Sequence, residues 1–176
     1  HAAQADVTIA TEYLNRFENY FLTSVDQTVT FVQAIDHPNV VTIHQVGEHR
    51  SEGEVGLPYI VMQCLHGETL TTYRTRAGQV PLPEALRIGR EIAEGLWAAH
   101  RRGLVHRDIK PDNVILEGPD RRVKIIDFGL VRDVGDSDPG THATVDGAVV
   151  GTPAYLAPER IGGRDVDARS DLFGLG

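Results

Sequence analysis

His106-Arg107-Asp108-Ile109-Lys110-Pro111-Asp112-Asn113, followed further on by Asp127-Phe128-Gly129, is the stretch on which the reading of this chain turns. It sets a carboxylate (Asp108), an ammonium (Lys110) and an amide (Asn113) close together in one loop. Two short apolar runs, Asn113–Leu116 and Val123–Ile126, flank Glu117-Gly118-Pro119-Asp120 and predict a small hairpin. Such a hairpin returns Asp127 beside Asn113. One amide oxygen and one carboxylate, completed by water and phosphate, form the sparse oxygen site that Mg²⁺ prefers. A nearby lysine neutralises phosphate charge, and a free carboxylate accepts a hydroxyl proton.

Upstream of this loop the composition turns helical. Ala85, Ile88, Ile92, Leu96 and Ala99 recur at three- or four-residue spacing and predict one apolar helix face. Pro83-Glu84 suits the first turn, with proline at N1, and Gly103 suits the C-terminal cap with Leu104 as its apolar partner. Trp97 is expected in the core with this stripe. Earlier still, Val40–Val46 and Leu57–Gln63 predict two strands separated by the polar stretch Gly47–Gly56, and Asp36-His37-Pro38-Asn39 predicts a turn. Val7–Ala10 is strand-like, and Asp26–Ile35 has a helical pattern. Strands first and helices later give an α+β arrangement with a boundary near residues 65–70.

The chain has 176 residues, 41% of them hydrophobic and 24% charged, which fits a globular protein and argues against disorder or a fibre. Seventeen Lys+Arg against 25 Asp+Glu give a net charge of −8, which argues against a nucleic-acid partner. No apolar run is long enough to span a membrane, so no membrane segment is visible, and the single cysteine, Cys64, fits a reducing, cytoplasmic compartment. Cys64 is expected to be partly buried at a strand end, and Arg101-Arg102 and Arg121-Arg122 to be solvated charges. Only two of the basic residues are lysines, Lys110 and Lys124. Because the chain begins at His1 and stops at Gly176 after an apolar stretch, it is expected to be a fragment cut at both ends.

The loop and Asp127-Phe128-Gly129 resemble the catalytic loop and metal-binding motif of the protein kinase family. Gly151-Thr152-Pro153-Ala154-Tyr155-Leu156-Ala157-Pro158-Glu159 is similar to the end of that family's activation segment. His37-Pro38-Asn39-Val40-Val41 is similar to the turn before its fourth strand, and Asp171–Gly176 to the start of its large central helix. These matches keep the family's order from about residue 37 onward. Lys110 and Thr152-Pro153 resemble the serine/threonine branch, and the surrounding wording the bacterial, eukaryotic-like (Hanks-type) members.

The resemblance implies a bilobal kinase-like fold, with a partial β-rich lobe over residues 1–65 and an incomplete helical lobe over residues 66–176. It implies transfer of the γ-phosphoryl of Mg·ATP to Ser or Thr of protein substrates. On this resemblance Asp108 is the base, Lys110 the γ-phosphate contact, and Asn113 and Asp127 the Mg²⁺ ligands. Met62 is the gatekeeper, Gln63 and Leu65 offer backbone groups to adenine, and Ile115 lies under the ring. His106 packs beneath the loop near Phe128. Thr144, then Thr141, is the expected autophosphorylation site, with Asp146 as a fixed negative charge.

The chain departs from the family pattern at its beginning. Counting back from His37-Pro38 puts Thr28 where the family has a glutamate and Ala10 where it has a phosphate-binding lysine, and the Gly-rich loop is not in this chain. A pseudokinase or nucleotide-binding module is therefore the alternative. A small-molecule phosphotransferase is a third reading, disfavoured by Lys110 and Gly151–Glu159.

Overall fold

The computed structural model describes residues 35–49, 57–128, 144–145, 148–149, 153–161 and 166–176. The strand-like Val7–Ala10, the positions Ala10 and Thr28, and Gly129, Thr141 and Asp146 lie outside the described residues.

His37-Pro38 makes the turn expected of it, closed by the Val40 N–H donating to the His37 carbonyl at 3.0 Å. Val40 and Val41 do not open a strand. They are almost wholly buried and join Ile125 through a parallel bridge, with Val41 N–H on the Ile125 carbonyl at 3.0 Å. The first strand, β1, starts later at Ile43 and runs to His49, so it takes in residues read as loop. It pairs antiparallel with β2, Leu57–Met62. Cys64 follows the end of β2 and is exposed, against the expectation of partial burial.

Gly67–Thr69 forms β3 and pairs with β4, Val114–Glu117, which pairs in turn with β5, Arg122–Ile125. A Cβ on Gly67 would stand 2.1 Å from the Leu116 carbonyl oxygen, so only glycine permits this approach. The predicted hairpin is therefore present, with Ile115 opposite Lys124.

Thr69 then caps helix α1, Leu70–Ala77, its hydroxyl accepting from Thr72 N–H at 3.1 Å. Gly78 ends that helix at φ 68°. Helix α2 spans Leu82–His100, with Pro83 and Glu84 in its first turn. Ile88, Ile92, Leu96 and Ala99 form its buried face as predicted, whereas Ala85 is exposed. Trp97 is 59% exposed rather than in the core. It sits about 100° around the helix from Leu96, at 3.6 residues per turn, and Arg101 covers its ring at 4.7 Å.

Beyond β5 come the two-residue strands β6, Thr144–Val145, and β7, Ala148–Val149, then helices α3, Pro158–Ile161, and α4, Ala168–Leu175. The core lies between α2 and the β4–β5 hairpin, with Leu96, Leu116, Val123, Ile125 and Phe128 at its centre. No described helix is long and apolar enough to cross a membrane.

Arg121 is not a merely solvated charge. Its guanidinium donates to the Tyr73 hydroxyl at 3.0 Å and to Glu84 at 2.8 Å, and lies over the Tyr73 ring. The Tyr73 hydroxyl also donates to Glu84 at 2.7 Å, which holds the Glu84 carboxyl below its usual range and the Tyr73 phenol above its own.

Candidate active site

Between the end of α2 and β4 the chain has little regular structure of its own, and its shape comes from groups that grip it. His106 is buried beneath the loop, as expected, and meets the Phe128 ring edge-on at 4.7 Å between centroids. Its Nε2 bonds the Ile126 carbonyl at 2.8 Å, so that nitrogen carries the proton. Nδ1 is then free to accept the Asp108 N–H at 3.3 Å. Burial holds the imidazole pKa below its ordinary value of 6.5, consistent with this neutral form.

Asp171 grips the loop from the other side. Its carboxylate is buried and accepts from His106 N–H at 2.8 Å, from Arg107 N–H at 2.7 Å and from His100 Nε2 at 2.7 Å. Arg107 adopts φ 72°, a left-handed conformation worth roughly 1–3 kcal/mol of strain in a non-glycine residue. The Arg107 carbonyl accepts from Arg160 Nη1 on α3. Ser170 Oγ donates to Glu159, joining α3 to α4 and keeping the Glu159 carboxyl below its usual range.

Asp108 is thereby held half-buried with its carboxylate engaged. Lys110 Nζ reaches its Oδ2 at 2.6 Å. The Asn113 amide nitrogen donates to the Asp108 carbonyl at 2.8 Å and to its Oδ2 at 3.1 Å. Both bonds use the amide nitrogen, which turns the amide oxygen to the side a hard cation would need. The Ile126 N–H donates to the Asn113 carbonyl at 3.1 Å, so Asp127 follows β5 directly beside Asn113. Asp127 is also left-handed, at φ 61°. Among the described residues no three His, Cys, Asp or Glu side chains form a metal cluster of their own. The donor set fits Mg²⁺ only as a partial shell, one amide oxygen and one carboxylate, which is the way Mg²⁺ is usually held beside a phosphate.

Of the other predicted residues, Ile115 lies within β4 opposite Lys124, and Gln63 reaches the far end of that strand at Glu117. Met62 ends β2 and is exposed, and the Gln63 N–H donates to the Thr42 carbonyl at 2.8 Å. The Gln63 side chain bridges Glu117 at 3.3 Å and the Lys124 ammonium at 3.2 Å. Leu65 is half-buried, as is Ile115, which faces the same way as Lys124 on the hairpin. Roughly 13 Å separates the Asn113 and Glu117 ends, four residues at about 3.3 Å each. His100, Arg160 and Asp171 complete the site although no motif of the loop points to them. Of the three, the sequence marks Asp171 alone, as the head of the run Asp171–Gly176 that resembles the start of the family's central helix.

The chain is similar to known proteins. Residues 10–176 match the protein kinase domain family. The chain is 40% identical over 144 residues to the serine/threonine-protein kinase PknB of Mycobacterium leprae, covering 81% of this chain and 22% of that protein. It is 39% identical over 142 residues to PknA of Mycobacterium tuberculosis, covering 81% of this chain and 32% of that protein. A probable serine/threonine-protein kinase of Streptomyces coelicolor, SCO3848, is 43% identical over 144 residues, 81% of this chain and 21% of its own length. The crystal structure of the PknI kinase domain from Mycobacterium tuberculosis superposes with a TM-score of 0.67 at 28% identity, over 89% of this chain and 54% of that one. The chain thus spans between a fifth and a third of the curated relatives it matches. With its α+β architecture, the family match over residues 10–176 and these relatives in agreement, the chain belongs to the protein kinase family.

Proposed function

We propose that the chain is the core of a serine/threonine protein kinase, which moves the γ-phosphoryl of ATP to a Ser or Thr hydroxyl of a protein substrate. The bonded group Asp108–Lys110–Asn113 carries this reading. Asp108 accepts the hydroxyl proton and aims the oxygen at the γ-phosphorus. The new O–P bond forms as the bond to the bridging oxygen breaks, and ADP leaves. Lys110, already at the base, screens the phosphoryl charge as it passes. Asn113 and Asp127 would hold Mg²⁺, which supplies charge neutralisation on the phosphate oxygens. Gln63 and Leu65 present backbone groups to adenine, Met62 borders that space and Ile115 floors it. We assign the kinase domain itself to the cytoplasm, and Thr144, then Thr141, as the site it modifies on itself.

The lysine count favours a second reading, a nucleotide-binding pseudokinase. Both lysines of the chain are committed elsewhere: Lys110 at Asp108, and Lys124 buried against Gln63 and the Val40 carbonyl. The deciding experiment uses protein from the complete reading frame with Mg²⁺ and γ-labelled ATP, beside Asp108→Asn. Label reaching Ser or Thr, reduced about 10²- to 10⁴-fold in the variant and abolished by EDTA, is the expected result. Nucleotide binding with no label in either protein overturns the kinase reading and leaves the pseudokinase.

A further inference from the structure

The peptide that joins Arg107 to Asp108 is held at both of its polar atoms. Its carbonyl, on Arg107, accepts from Arg160 Nη1 at 2.5 Å. Its N–H, on Asp108, donates to His106 Nδ1 at 3.3 Å. The peptide before it is held as well, through Arg107 N–H on Asp171. Three side chains thus fix two consecutive peptide planes around a residue at φ 72°, and the side chain those planes aim is Asp108. A left-handed non-glycine residue persists only where its surroundings over-determine it.

The three restraints differ in origin. His106 belongs to the loop itself, and Asp171 is a buried anchor on α4. Arg160 is half-buried and stands on α3, the short helix that closes the stretch Gly151–Ala157. A charge-assisted bond from a guanidinium to a carbonyl is stronger than one between neutral groups. α3 is itself pinned to α4 by Ser170 on Glu159.

We infer that Arg160 is a positioning residue for Asp108, holding the Arg107–Asp108 peptide in the orientation that keeps the carboxylate on Lys110 and Asn113. The inference rests on the reading of Asp108 as the base. It ties α3 to the reacting hydroxyl: with the Arg160 guanidinium in place the peptide is clamped, and without it the carbonyl loses that donor. Freed of that bond, the peptide relaxes out of the left-handed region and turns the carboxylate away from its partners. ATP contacts near Gln63 and Leu65 lie at the other end of β4 and are untouched by this change.

The test uses protein from the complete reading frame and compares wild type with Arg160→Met, Arg160→Gln and Arg160→Lys. In Arg160→Met, kcat is expected to fall about 10- to 100-fold, the effect of a small misplacement of a reacting group, with KM for ATP within about twofold of wild type. Arg160→Lys, which keeps a charged donor, recovers most of the rate, and Arg160→Gln falls between. The side-chain ¹³Cγ resonance of the Asp108 carboxylate shifts in the same order. A bond that only fastens α3 would lower the melting temperature without moving that resonance or separating kcat from KM, and this outcome overturns the inference. Should Arg160→Met not fold, the Gln and Lys variants carry the comparison, and equal rates for both with wild type also overturn it. If the wild type transfers no phosphoryl group, the kinase reading fails on its own. The Asp108 resonance still decides the role of Arg160, and no shift in any variant rejects it.

Discussion

Asp171 concentrates three hydrogen bonds on a carboxylate that is 1% exposed, and two of them come from backbone N–H groups that have nowhere else to go. Replacing it by alanine strips His106 N–H and Arg107 N–H of their acceptor while Arg107 stays strained. Asp171→Ala is expected to destabilise the fold by about 3 kcal/mol or more, read from the urea midpoint. His106 makes a second prediction, with a definite sign. Its folded pKa lies below 6.5, so the neutral imidazole stabilises the fold fully above that pH. As pH falls below about 6.5 the unfolded chain takes up a proton that the folded chain refuses, and stability is lost. Protonation would also place a proton on Nδ1, opposite the Asp108 N–H. The drop in melting temperature between about pH 7.5 and 5.5 should be smaller in His106→Phe than in wild type, although that variant is less stable throughout. At this scale, Asp108, Lys110 and Asn113 were legible because a single loop carries all three within hydrogen-bonding reach. Asp171 was visible as the head of the run Asp171–Gly176, but its role, like that of Arg160, exists only after segments distant in sequence have packed together.

Helix α2 contains two glycines with opposite expected behaviour. A Cβ on Gly95 would stand 2.8 Å from Ile125 Cδ1 and 3.1 Å from the Asn39 carbonyl oxygen, in the core. A Cβ on Gly89 would meet nothing within 4 Å. Alanine gains up to about 1 kcal/mol over glycine inside a helix, whereas overpacking a core loses about 1–3 kcal/mol. Gly89→Ala should therefore raise the melting temperature and Gly95→Ala lower it, a contrast that scanning calorimetry resolves. The long helix and the β4–β5 hairpin were readable because each has a clear period, 3.6 or 2, with one side apolar. Helix α1 escaped notice because Tyr73 is its only buried residue and the rest of its circumference is polar. β1 was placed too early because Val40 and Val41, apolar enough for a strand, are spent on a bridge to Ile125 and the core.

Across the whole molecule, the two larger sheets meet through few but specific contacts. Asn39 donates to the Val123 carbonyl at 3.1 Å and to Glu91 at 3.4 Å, tying the turn before β1 to both β5 and α2. On the other side, Gln63 stands between a buried ammonium and a carboxylate, Lys124 and Glu117. Gln63→Leu leaves Lys124 with only the Val40 carbonyl, at 3.5 Å. We expect that variant to lose about 1–3 kcal/mol in chemical denaturation, the penalty for a buried donor left unsatisfied. Lys124→Met in the same background should recover part of that loss, because it removes the stranded charge. The α+β class and the order of motifs could be read from the chain alone. The joints made by Asn39 and Gln63 could not, since each rests on one polar side chain whose partner is set by packing.

The dependence of the loop on Asp171 has a temporal side. Arg107 and its acceptor are 64 residues apart, so a ribosome adding roughly 5–20 residues per second needs about 3–13 s to get from one to the other. Through that interval the nascent chain carries Asp108, Lys110 and Asn113 without the anchor that shapes them. The loop takes its shape only once Asp171 has been made, so synthesis itself sets the earliest moment at which the geometry around Asp108 exists.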